Sequence, residues 1–119
     1  MSEFATTVAA LLEAGRAHDV AVAAPARPAL TYSALRDQIR RTVGALNRLG
    51  IGRNDVVAIV LPNGPDLACA LLGIAAAASA APLNPAYRHD DFRFYLSDLG
   101  AKALVLPKGA DLPAFAVAA

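Results

Sequence analysis

Six consecutive residues, Val56-Val57-Ala58-Ile59-Val60-Leu61, are apolar, mostly β-branched, and interrupted by no polar side chain at alternate positions. A strand with one face in water alternates apolar and polar residues. A run without alternation describes a strand covered on both faces. Such a strand obliges the chain to supply packing layers on two sides, and the residues that follow have the pattern to do so. Pro62-Asn63-Gly64-Pro65-Asp66 forms a loop that ends with proline at a first helical position and an acid in the first turn. From Pro65 to about Ala78 a helix has almost no polar surface and is expected to be buried nearly all round. Ala80 to Leu83 reads as a second short strand, Asn84 to His89 as a turn, and Asp90 or Asp91 as the cap of a helix running through Leu96 to Leu99. Gly100 ends that helix, and Lys102 to Leu106 is a third buried strand. Strand, helix, strand, helix, strand with long connections is two consecutive βαβ units, which means α/β architecture with a short parallel sheet and right-handed crossovers.

The residues before this unit have a different character. Phe4 to about His18 has helical periodicity, with Val8, Leu11, Leu12 and Gly15 on one side and Glu13 and Arg16 on the other. Val20 to Ala23 and Leu30 to Tyr32 flank a turn at Pro25 to Pro28 and predict a small antiparallel strand pair, which those prolines confine to an edge. Ser33 suits an N-cap. Behind it Leu35, Ile39, Val43, Leu46 and Leu49 recur at helical spacing, with Arg36, Arg40, Asn47 and Arg48 off the stripe and Gly50 placed for a left-handed stop. After Leu106 the tail turns and begins something, with a helix expected from Leu112, that has no length to finish. Residues 1–119 therefore read as a single α/β unit, with no repeat and no linker.

Composition narrows the function classes. A formal net charge of +1 gives no electrostatic footprint for nucleic acid, and the five arginines between Arg36 and Arg53 are balanced by acids elsewhere. Cys69 is the single cysteine, so no intramolecular disulfide is available and a reducing compartment is compatible. Met1-Ser2-Glu3-Phe4 is acidic and lacks the apolar stretch of a signal peptide, which points to a cytoplasmic protein. The apolar run Leu67 to Leu83 falls short of the roughly 18 to 20 residues that span a bilayer, and it reads as a buried helix and strand rather than a membrane segment. With 56% hydrophobic residues in 119, however, the chain has more apolar surface than a domain this small buries readily.

None of the chemistry-bearing residues assembles a site by spacing. The loop before Pro65 has only Gly64, Pro65 removes an N–H donor, and neither dinucleotide nor P-loop glycine spacing occurs. His89-Asp90-Asp91 points three groups in different directions, and two acids in a first turn are accounted for by the helix dipole. Cys69, among Ala68, Ala70 and Leu72, lacks a base or cation that activates a thiol. His18 has no partner, Ser33 has no nucleophile setting, and the arginines of the second helix read as a solvated face. Catalytic, cofactor-binding and metal-binding residues are each assigned as none.

Taken together, the segments resemble the N-terminal portion of AMP-forming acyl-CoA synthetases, the adenylate-forming ligases. Leu30-Thr31-Tyr32-Ser33-Ala34-Leu35 resembles the family's L-T-Y-x-E-L, and Leu49-Gly50-Ile51-Gly52-Arg53-Asn54-Asp55-Val56-Val57-Ala58 its L-G-[IV]-x-x-G-D-x-V-A. Leu61-Pro62-Asn63-Gly64-Pro65 resembles L-P-N-S-P. Ala81-Pro82-Leu83-Asn84-Pro85 follows, and Ser97-Asp98-Leu99-Gly100-Ala101-Lys102 resembles D-S-G-A-K. Ala80 to Tyr87 with Phe92 to Asp98 is most similar to the oxalate–CoA ligase branch, with the fatty-acid–CoA ligases beside it. Two positions depart from the pattern: Ala34 replaces a glutamate that would complete a helix cap, and Ala75-Ala76-Ala77 stands where the family has K-A-G, an arrangement strained by about 1 kcal/mol if an alanine there holds a positive φ.

The resemblance implies a partial, N-terminal piece of the adenylate-forming ligase fold. It implies a parent enzyme that activates a carboxylic acid with ATP and Mg to an acyl-adenylate and transfers the acyl group to CoA. The family's phosphate loop, adenine and ribose motifs and catalytic lysine would all lie beyond Ala119, so the 119 residues are expected to be scaffold, inactive alone, with no cofactor of their own. Their expected partner is the remainder of the ligase, and exposed apolar surface gives a route to self-association. Two rival readings are a self-standing α/β binding or interaction module that reuses this scaffold, and an oligomerisation element.

Overall fold

The computed structural model describes residues 7–108. The elements in chain order are α1 (Val8–Leu12), β1 (Val20–Val22), β2 (Leu30–Thr31), α2 (Tyr32–Arg48), β3 (Val56–Ile59), α3 (Pro65–Ala75), β4 (Ser79–Pro82), α4 (His89–Leu99) and β5 (Ala103–Val105). β1 and β2 pair antiparallel, and the other three strands form a parallel sheet in the order β4-β3-β5. The α/β reading and the three parallel strands predicted from Val56 onward are therefore present. Their bounds move by one or two residues: the first strand ends at Ile59 rather than Leu61, the second spans Ser79–Pro82 rather than Ala80 to Leu83, and the third occupies Ala103–Val105 within the expected Lys102 to Leu106.

β3 is the middle strand, and Val57, Ala58, Ile59 and Val60 are all fully buried. Alternation along it divides the interior in two. Val57 and Ile59 join Leu46, Ile51 and Ile74, with Leu67, Leu71 and Val105 against them, so this side is covered by α2 and α3. Val60 joins Phe92, with Leu83, Leu96, Leu104 and Leu106 around them, so the other side is covered by α4. Topology gives the same division, because the chain crosses from β3 to β4 in one direction and from β4 over β3 to β5 in the other. Right-handed crossovers then place α3 and α4 on opposite faces. Pro82 is tolerated because β4 is an edge strand of this sheet and the next N–H, that of Leu83, still donates to the Ile59 carbonyl at 2.8 Å.

The second helix starts earlier than Ser33 suggests. Its N-cap is Thr31, whose hydroxyl accepts from the Ala34 N–H at 3.2 Å. The N–H groups of Tyr32 and Ser33 are already used, donating to the carbonyls of Asp19 and Ala17 at 3.0 Å each, so no cap is required at Ser33. Leu35, Ile39 and Leu46 of the predicted stripe are buried and Val43 is half-buried, whereas Leu49 is 72% exposed beyond the helix end. Gly50 takes φ +79° and Gly100 φ +60°, the left-handed stops expected of them.

Three other expectations change. The N-terminal helix is confined to Val8–Leu12 within the described residues, because the carbonyls of Leu12, Glu13 and Gly15 are taken by the Arg36 guanidinium of α2 and Gly15 lies against the Tyr32 ring. Residues 1–6 and the helix expected from Leu112 lie outside the described residues. The third helix ends at Ala75 and is not buried all round: Gly73 and Ile74 are buried, Asp66 is exposed, and the remaining residues are half-buried. Gly73 instead permits a close approach to α2, where an added Cβ would stand 3.2 Å from the Thr42 side chain. The Ala75-Ala76-Ala77 departure carries no strain, since Ala76 sits at φ −72° and Ala26 is the one described non-glycine residue at positive φ. Finally, neither Asp90 nor Asp91 is the N-cap of α4. Arg88 holds that position, and the Asp91 carboxylate reaches back to accept from its N–H at 3.1 Å. Among the described residues no helix is long and apolar enough to cross a membrane.

Two stability measurements check this architecture. Phe92 is the buried anchor of α4, so Phe92→Ala is expected to cost about 3–5 kcal/mol in urea denaturation. Ala34→Glu restores the missing half of the α2 capping box and is expected to add roughly 0.3–1.5 kcal/mol by the same assay, a gain that Thr31→Ala in the same chain removes.

Candidate functional site

The most connected polar cluster lies at the N-terminal end of the parallel sheet, where β3 begins. The Asp55 carboxylate accepts from the Gly52 N–H at 2.7 Å, and Lys102 Nζ lies 3.5 Å from both its oxygens. Lys102 Nζ also donates to the Gly50 carbonyl at 3.2 Å. The backbone of the same residues ties the strands: Ser79 N–H donates to the Asp55 carbonyl and Lys102 N–H to the Val56 carbonyl, both at 2.8 Å. The backbone bond from Gly52 and the Lys102 charge hold the Asp55 carboxyl below the ordinary aspartate range. Lys102 is half-exposed, and its contact with Asp55 joins the start of β5 to the loop ahead of β3. Sequence inspection misses it because the partners lie 47 residues apart. Its signal is that the single acid and the single lysine of two separate motifs come together.

Ligands of open α/β sheets bind at the opposite, C-terminal end of the strands. There the loop between β3 and α3 ends with Gly64 at φ 153°, Pro65 opens α3, and the Asp66 carboxylate pairs with Arg27 at 3.1 Å, both side chains exposed. The loop between β4 and α4 is fastened by Asn84, whose side chain accepts from the Ala86 N–H at 2.9 Å and whose carbonyl accepts from Tyr87 at 3.1 Å. Tyr87 then stacks on Tyr95 at 5.1 Å and meets the edge of Phe92 at 5.7 Å. Asn84 is a turn former here.

The remaining candidates disperse. His89 Nδ1 lies 3.8 Å from Asp90, whose side chain is almost fully in water, while Asp91 is spent on the α4 cap. Burial and the Asp66 charge push the Cys69 thiol up, with Arg27 opposing them, so the thiolate is disfavoured. His18 and Ser33 are exposed. The solvated-face reading of the α2 arginines holds for Arg40, which pairs with Asp37 at 2.8 Å, and fails for Arg36, which is half-buried and latches α1. Among the described residues no group of three or more His, Cys, Asp or Glu is placed to hold a metal ion.

The fold matches part of the N-terminal domain of adenylate-forming ligases. The profile of the AMP-binding enzyme family matches residues 8–118, and the chain belongs to that family. It is 42% identical over 87 residues to an oxalate–CoA ligase of Arabidopsis thaliana, covering 71% of this chain and 17% of that protein. It is 32% identical over 77 residues to the long-chain-fatty-acid–CoA ligase FadD13 of Mycobacterium tuberculosis, covering 64% of this chain and 15% of that one. The inhibitor-bound N-terminal domain of FACL13 from Mycobacterium tuberculosis superposes with a TM-score of 0.76 at 25% identity, over 94% of this chain and 28% of that chain. The chain thus spans about a sixth of the length of these two relatives.

The joint at Asp55 has a pH signature. Its carboxyl titrates below the ordinary value near 3.9, so the stabilisation it gives is complete above about pH 4 and is lost as pH falls through the lower folded-state value. Asp55→Asn is expected to flatten the acid limb of a stability-against-pH curve measured in urea, and an unchanged limb would show that Asp55 does not couple to folding.

Proposed function

We propose that this chain is the N-terminal subdomain of an AMP-forming acid–CoA ligase, and that it contributes scaffold to that enzyme rather than reacting groups. The parent reaction joins a carboxylic acid to AMP at the expense of ATP, with pyrophosphate leaving, and then moves the acyl group to CoA. The observation that carries this reading is the family match across residues 8–118. Supporting it, four polar residues of the resembling motifs have partners within the fold: Thr31 caps α2, Asp55 and Lys102 join β3 to β5, and Asn84 closes a turn. The partner of the subdomain is the rest of the ligase polypeptide, in the cytoplasm, and ATP, Mg and CoA bind to groups supplied by that remainder. Oxalate is the first acid to test, since a 42% identical relative bears the name oxalate–CoA ligase.

The experiment is pyrophosphate exchange into ATP with a panel of carboxylic acids led by oxalate. The purified 119 residues are expected to give no exchange and no acyl-adenylate, whereas the polypeptide encoded by the whole reading frame is expected to give both. Acyl-adenylate formed by the 119 residues alone overturns the scaffold reading. An extended polypeptide that binds no ATP overturns the ligase reading and favours a self-standing interaction module.

A further inference from the structure

We draw no further inference here: the strongest candidate, the apolar groove of about 430 Å³ between α1 and α2 lined by Leu12, Ile39, Val43 and Ala76, has rim charges answered within the chain, and nothing in the structure shows what covers it.

Discussion

The rest of the structure depends on the burial of β3. Four consecutive residues with no exposure cannot be satisfied by one layer, so helices must come from both sides, and a parallel sheet with crossovers is the arrangement that brings them. Because successive side chains point to opposite faces, Val57 and Ile59 nucleate one interior while Val60 nucleates the other. α2 and α3 close the first and α4 closes the second. Even the joint at the foot of the sheet follows from this constraint, since both β4 and β5 must enter beside β3 at Asp55 and Val56.

The resembling motifs acquire a physical meaning once they are placed in the fold. They mark where strands enter, where helices are capped and where loops turn, and several of their polar groups meet one another or the backbone. Asp55 and Lys102 illustrate this: the bond from Gly52 orients the acid, the lysine spans to it and to the Gly50 carbonyl, and the pair fastens β5 to the loop ahead of β3. Arg36 does the equivalent for α1, whose five residues are too few to be stable without tertiary contacts.

Much of this was legible from local pattern. The strand at Val56, proline at the start of α3, glycine stops at Gly50 and Gly100, and the stripe of α2 all follow from rules that act within a few residues. Two of the misreadings share a cause, which is competition from distant groups. Ser33 is a good cap in isolation, but Asp19 and Ala17 had already taken the N–H groups that define the helix start. The N-terminal helix has periodicity beyond Leu12, but Arg36 and Tyr32 claim the chain that follows it. Of the chemistry-bearing candidates, the dispersal of His89, Asp90 and Asp91 and the inert setting of Cys69 could be read from neighbours alone. The Asp55–Lys102 joint could not.

By itself the sequence determined the order of elements and the class of fold, because hydrophobic periodicity and turn chemistry are local and each is repeated enough to be unambiguous. Tertiary structure alone decided which polar groups meet, which cap is used and which helix is pinned. Those outcomes depend on distances between residues separated by tens of positions, and these become short only when the sheet has assembled around β3.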